Sequence, residues 1–156
     1  MAAQPYEIKT INGLRRSARR GIAFLTQKGN EELNGRSEFN RLSGKTAKEV
    51  RARFDHWIDG NRHDRYFHGF PNNPTYKVCF VFKWNERNLC QRLYGFIHHP
   101  YPQMNPAFQL CVLCSQATKT VWETDPAELN GALRLSVSAQ VLAAINISYP
   151  DVRQKE

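Results

Sequence analysis

Between residues 76 and 84 apolar and polar positions alternate. Tyr76, Val78, Phe80, Phe82 and Trp84 fall on one parity, and Lys77, Cys79, Val81 and Lys83 on the other. A period of two is that of a strand with one buried face. Residues 85–88 supply turn chemistry, and 89–97, which carry Arg92 and Tyr94, read as the returning strand. A loop rich in proline and histidine, 98–106, leads to a third apolar run at 107–115. Short connections between successive strands favour an antiparallel meander.

Upstream the period changes. Leu14, Ala18, Ile22 and Leu25 recur at spacings of three and four. This predicts a helix over 12–28, with Arg15, Arg16, Arg19 and Arg20 mostly off the apolar stripe as a basic band. Gly29 is a natural stop, and 30–44 reads as a linker or irregular loop. Thr46 and Glu49 have the spacing of a capping box, opening a helix to about residue 59. Its apolar face holds Ala47, Val50, Phe54, Trp57 and Ile58, and Gly60 ends it. Asp125, Pro126 and Glu128 mark a further helix start, continued by Leu129, Leu133, Val137, Val141, Leu142 and Ile145 with a break near Ser136. The pattern predicts an α+β fold: N-terminal helices packed on a three- or four-stranded, mainly antiparallel sheet, with a C-terminal helix.

Composition narrows this. A chain of 156 residues with 41% apolar and 12% aromatic content fits one domain with a sizeable core. No apolar run reaches the roughly 18 residues of a membrane span, and the N-terminus lacks an apolar signal core. A cytoplasmic protein without a membrane partner is expected. The cysteines at 79, 90, 111 and 114 lie in apolar runs and read as small buried hydrophobes. Cys111 and Cys114 form a CxxC, but on a strand positions three apart point to opposite faces. No metal or other cofactor is expected. There is no GxxxxGK[ST] loop, no GxGxxG and no GxSxG, and the acidic residues are too scattered for a two-metal nuclease.

Charge is more informative. The net formal charge is +8, and it is uneven: residues 1–70 hold fourteen basic and eight acidic side chains, against eight and six in 71–156. A domain this basic attracts polyanions, and RNA is the expected partner.

The segments "YKVCFVFKW", "CQRLYGFI" and "FQLCVLCSQATKTVWETDPAELNGAL" follow one another as strand, strand with a "RLYGF" run, and apolar strand ending in a lysine-containing segment. Over about 46–145 this succession resembles the RelE/HigB superfamily of small toxins, in particular its phage-associated branch. The resemblance implies a core at 46–147, with 1–45 a basic helical extension and 148–156 a tail. It implies a toxin of a toxin–antitoxin pair: a metal-independent endoribonuclease that cuts mRNA at the ribosome and is neutralised by an antitoxin protein.

Cleavage of RNA through its own 2′-hydroxyl needs a base, an acid and cations for the charge growing on phosphate oxygens. Arg92 and Lys119 are the candidates for phosphate charge. Lys119 falls where the resemblance places catalytic side chains. Tyr94, His68 (in "YFHGF") and Lys83 are the candidates for proton transfer or base stacking. Arg15, Arg16, Arg19, Arg20 and Arg87 are candidate RNA contacts. Gln116 departs from the pattern, standing where some relatives carry a histidine, and glutamine cannot act as a base. Each candidate has a plainer reading: Tyr94 as a packed ring, Arg92 as a cross-strand ion pair, His68 as a turn residue. A non-catalytic RNA- or ribosome-binding module, or a protein-interaction or inhibitor protein, is the alternative for the whole chain.

Overall fold

The run from Gly21 to Leu25 decides the architecture. All five residues are buried, Ile22 and Phe24 in one hydrophobic cluster and Ala23 and Leu25 in another. A side chain on every residue finds a core only in a strand covered on both faces. In the computed structural model, which describes residues 4–14, 16–119 (Lys119 by its backbone alone) and 126–152, this run is a central strand. The element order is β1 (Tyr6–Lys9), β2 (Arg20–Gln27), α1 (Gly35–Arg41), α2 (Gly44–Ile58), β3 (Phe67–Gly69), β4 (Cys79–Glu86), β5 (Leu89–His98), β6 (Gln109–Lys119), α3 (Pro126–Ser136) and α4 (Ala139–Ser148).

The strands form one six-stranded mixed sheet in the order β1-β2-β6-β5-β4-β3. Strands β3 to β6 make the antiparallel meander, β1 pairs antiparallel with β2, and β2 runs parallel to β6. The chain therefore crosses over from β2 through α1 and α2 to the far edge, and the meander then brings it back to pair with β2. This corrects the predicted three- or four-stranded antiparallel sheet with N-terminal helices. The helix expected over 12–28 is a loop followed by β2, because its five consecutive apolar residues suit two covered faces better than one helical stripe. Within 30–44 the chain forms α1, whose buried anchor is Phe39. The C-terminal helix is two helices, divided after Ser136. No capping box forms at Thr46: α2 starts earlier, at Gly44, with Ser43 as its cap residue.

Helices α1 and α2 cover one face, where Phe24, Phe39, Phe54 and Phe82 form a chain of rings with centroids 5.5, 5.5 and 4.8 Å apart. Each such pair contributes on the order of 1 kcal/mol beyond its buried area. Helices α3 and α4 cover the other face, α3 over Cys79, Val81 and Tyr94 and α4 over Leu25, Val112 and Cys114. Among the described residues no single helix is long and apolar enough to cross a membrane. Helices α3 and α4 together match by length and composition, but they are bent by 66°.

Two irregularities shape the sheet. Tyr94 pairs with Ser115 but Gly95 pairs with Leu113, so Cys114 is an extra residue on β6. This bulge flips the facing of β6, so that Ser115 and Ala117 share the α3 face with Tyr94 and Arg92. The second is the β4–β5 hairpin, where Glu86 pairs with Leu89 and only Arg87 and Asn88 turn the chain, with φ of +53° and +64°. Two positive φ values in a two-residue loop define a type I′ turn, for which Asn-Gly is favoured. Arginine at the first position carries roughly 1 kcal/mol of strain, part of which glycine would return as unfolded-chain freedom. Arg87→Gly is expected to raise Tm by about 1–2 °C, measurable by thermal melting of the purified variant.

Candidate functional site

Four of the five candidate catalytic side chains fall on one face of the sheet, although they come from three strands. Lys83 on β4 pairs directly with Arg92 on β5, Val81 pairs with both Tyr94 on β5 and His68 on β3, and alternation puts all of them on the α3 side. The backbone of Lys119 pairs with Cys90, two positions along the ladder from Ala117 and Arg92. Its side chain lies outside the described residues.

The Lys83–Arg92 pair breaks a rule of sheet design. Like charges directly opposite each other are destabilising, and an arginine with no exposed surface adds a desolvation penalty. Burial lowers the Arg92 pKa, but its contacts with Tyr94 and Cys90 outweigh this and leave it raised. Arg92 thus stays charged. Lys83 is half-buried and, among the described residues, has no carboxylate partner. Burial and then Arg92 hold its pKa below the usual lysine range. The same edge carries Arg53 and Arg65 around Tyr66. Arg53 is already committed to Glu49 at 2.9 Å and to the face of Tyr66, whereas Arg65 is exposed.

His68 was expected in a turn and is instead in the edge strand β3, because Phe67 beside it anchors to Phe82 in the core. Its Nδ1 lies 2.8 Å from the Gly69 carbonyl oxygen. A carbonyl only accepts, so Nδ1 carries the hydrogen and the lone pair of the neutral ring is on Nε2. Burial depresses its pKa, the Gly69 carbonyl draws it back in part, and Lys83 and Arg92 depress it further. The ring is therefore a neutral base at pH 7.

The remaining candidates are dispersed. Tyr94 is a packed ring, fully buried with Leu129 and Ala132 of α3. Arg92 is equally inaccessible. Arg87 stands exposed at the hairpin tip, four residues or about 13 Å along the chain from Lys83. The expected basic helical band does not exist, since the segment is loop and strand. Arg15 lies outside the described residues. Arg16 reaches over the rings of Phe108, Tyr101 and Tyr149 at 4.9, 5.9 and 5.9 Å, so it ties the loop to the C-terminal end. Arg19 is exposed, and Arg20 opens β2, donating from Nη1 to the Trp57 carbonyl at 2.6 Å.

Two larger hollows flank the sheet. A cleft of about 780 Å³ lies at the β3 edge beyond the end of α2, bordered by Arg20, Arg62, Lys77 and His68. A groove of about 630 Å³ lies at the other side, where β6 has outrun β2, and it is lined by Glu31, Glu32, Glu128 and Arg134. The lining of the first is thus mainly cationic and that of the second mainly acidic. Arg62 and Lys77, neither of which stands in a sequence motif, were missed by the sequence reading. Their only signal is the local excess of basic residues.

Gln116 is not on the cationic face. Its backbone bonds Asn34 in both directions and its amide donates to Gln91 at 2.9 Å, so it belongs to a polar network beneath α1. The cysteines are unpaired. Cys111 and Cys114 face opposite sides of the sheet, and burial raises both thiol pKa values. Among the described residues no three His, Cys, Asp or Glu side chains gather as a metal site requires. No protein-family model, curated protein or solved structure matches the chain significantly.

Proposed function

We propose that the protein binds RNA along its cationic β3–β4 edge and cleaves it without a metal ion, as a toxin of a toxin–antitoxin pair acting on mRNA. The observation that carries this reading is the directly opposed Lys83 and Arg92. A sheet keeps such a pair at the expense of stability, and an incoming phosphate is the natural counter-charge. His68 Nε2 takes the proton of the 2′-hydroxyl as that oxygen bonds to phosphorus. The Lys83 ammonium protonates the departing 5′-oxygen, leaving a 2′,3′-cyclic phosphate and a free 5′-hydroxyl. Arg92, held by Tyr94 and Cys90 beneath the surface, supplies fixed positive potential in a poorly solvated site.

The pH dependence follows from the direction of the shifts. His68 must be neutral, and its pKa lies below 6.5, so activity should persist below that pH and fall only once the ring protonates. Lys83 must be protonated, and its pKa lies below 10.5, so the alkaline limb should begin earlier than for an ordinary lysine. The test is cleavage of an mRNA fragment in excess EDTA from pH 5 to 10, for wild type and His68→Ala, with mapping of the new 5′ ends. A bell of this shape, with a loss of about 10²–10⁴-fold in the variant, is expected. Intact RNA with undiminished, salt-sensitive binding would leave the second reading, a non-catalytic RNA-binding module. That reading draws on the complete burial of Arg92 and Tyr94.

A further inference from the structure

The cleft at the end of α2 is a site of its own. Helix α2 stops at Ile58, and Gly60, with φ of +90°, turns the chain away. Beyond this point Arg20, Gln109, Ile97, Phe80 and Gly69, from successive strands of the sheet and all on the face opposite to Lys83 and Arg92, line the cleft, with the Trp57 ring of α2 at its border, 5.6 Å from that of Phe80. The floor is therefore apolar and aromatic, while the rim holds the cations Arg20, Arg62 and Lys77 and a single carboxylate, Asp64. Arg62 and Asp64 are 4.0 Å apart and both exposed, a pairing of little energetic weight.

Arg20 is the decisive residue. Its guanidinium lies 4.8 Å from the Trp57 ring centroid and, among the described residues, its only side-chain hydrogen bond is from Nη1 to the Trp57 carbonyl. A half-buried cation is thus held in place by an aromatic ring and a helix end, with Nε and Nη2 left as donors. Such a group is oriented in advance for a phosphate or for stacking on a planar base. The volume of about 780 Å³ lies within the range of roughly 300–1,000 Å³ typical of small-molecule sites. The groove across the sheet is of similar size, but its three glutamates would repel the same ligand.

We propose that this cleft binds a nucleoside 5′-phosphate unit, with the base on the Phe80–Ile97 floor and the phosphate at Arg20, Arg62 and Lys77. The unit comes either as a free mononucleotide or as one residue of an RNA strand; His68, the base of the proposed cleavage, also borders the cleft, but binding here requires no cleavage.

Gly69 provides the test. A Cβ added there would meet the Cys79 carbonyl at 3.5 Å and the Phe80 ring at 3.6 Å, ordinary contacts, so Gly69→Leu fills the floor without removing a charge. Adenosine 5′-monophosphate, adenosine, inorganic phosphate and a short single-stranded RNA would be titrated by amide NMR into wild type, Gly69→Leu, Arg62→Ala/Lys77→Ala and Lys28→Met, the last an exposed lysine remote from the cleft. Saturable shifts at Gly69, Phe80, Ile97 and Gln109, weakened at least tenfold in Gly69→Leu and in the double variant but unchanged in Lys28→Met, are the expected result. Tighter binding of the RNA at the same residues identifies the strand as the source, and equal binding identifies the free nucleotide. Phosphate as good as the nucleotide, shifts confined to the Lys83 face, or an undiminished response in the exposed double variant would overturn the proposal, even if Gly69→Leu fails to fold.

Discussion

Gly95→Ala is expected to abolish the native fold. The methyl group would be driven onto the Val112 carbonyl oxygen, and it would also lie 2.9 Å from the Leu113 Cα. Both obstacles are backbone atoms of β6 at the bulge, so no side-chain rotation relieves the clash. Relief requires parting β5 from β6, the two strands at the centre of the sheet. A loss on the order of 4 kcal/mol or more is expected, a large share of the roughly 5–15 kcal/mol that holds a domain together. Expression into the insoluble fraction, or a urea midpoint displaced by more than half, would register it. A variant melting within about 5 °C of wild type would show that the bulge is not constrained as described.

The second large effect separates stability from activity. Lys83→Met keeps the length and apolar stem of the side chain and removes the charge opposed to Arg92. Relief of a like-charge cross-strand pair amounts to about 0.2–1 kcal/mol, so the variant should melt slightly higher than wild type. RNA cleavage, by contrast, should fall by about 10²–10⁴-fold if Lys83 protonates the leaving oxygen. A structural lysine would give the opposite pair of results: lower stability and unaffected cleavage. Measuring both on the same preparation decides between them.

Strands β4, β5 and β6 and helix α2 were legible because each combines a clear period with a clear stop. Alternation at Phe80, Phe82 and Trp84 named one buried face of β4, although Cys79 and Val81 on the other face are buried as well and Val78 is exposed, and Gly60 closed the helix. Strand β2 was misread because Leu14, Ala18, Ile22 and Leu25 imitate helical spacing, and a fully buried strand has no period of its own to contradict them. Strands β1 and β3 are only four and three residues long, too short for any pattern. The clustering of His68, Lys83, Arg92 and Tyr94 was partly visible: strand parity pairs Lys83 with Val81 and Arg92 with Tyr94. What parity could not supply was the register that sets Lys83 against Arg92, or the edge strand that carries His68 to them. The cleft was invisible, since it is made by where a helix stops over a sheet that had not been foreseen in full.

The parallel pairing of β2 with β6 also sets an order of events during synthesis. Arg20 meets Gln109 across a gap of 89 residues, and Phe24 meets Leu113 across the same gap. At roughly 5–20 residues per second, β2 would wait about 4–18 s for its central partner, with only β1 to pair with meanwhile. During that interval five consecutive apolar residues are a sticky, half-finished edge, so yield of folded protein should respond to elongation rate and to chaperone supply far more than the finished domain's stability would suggest.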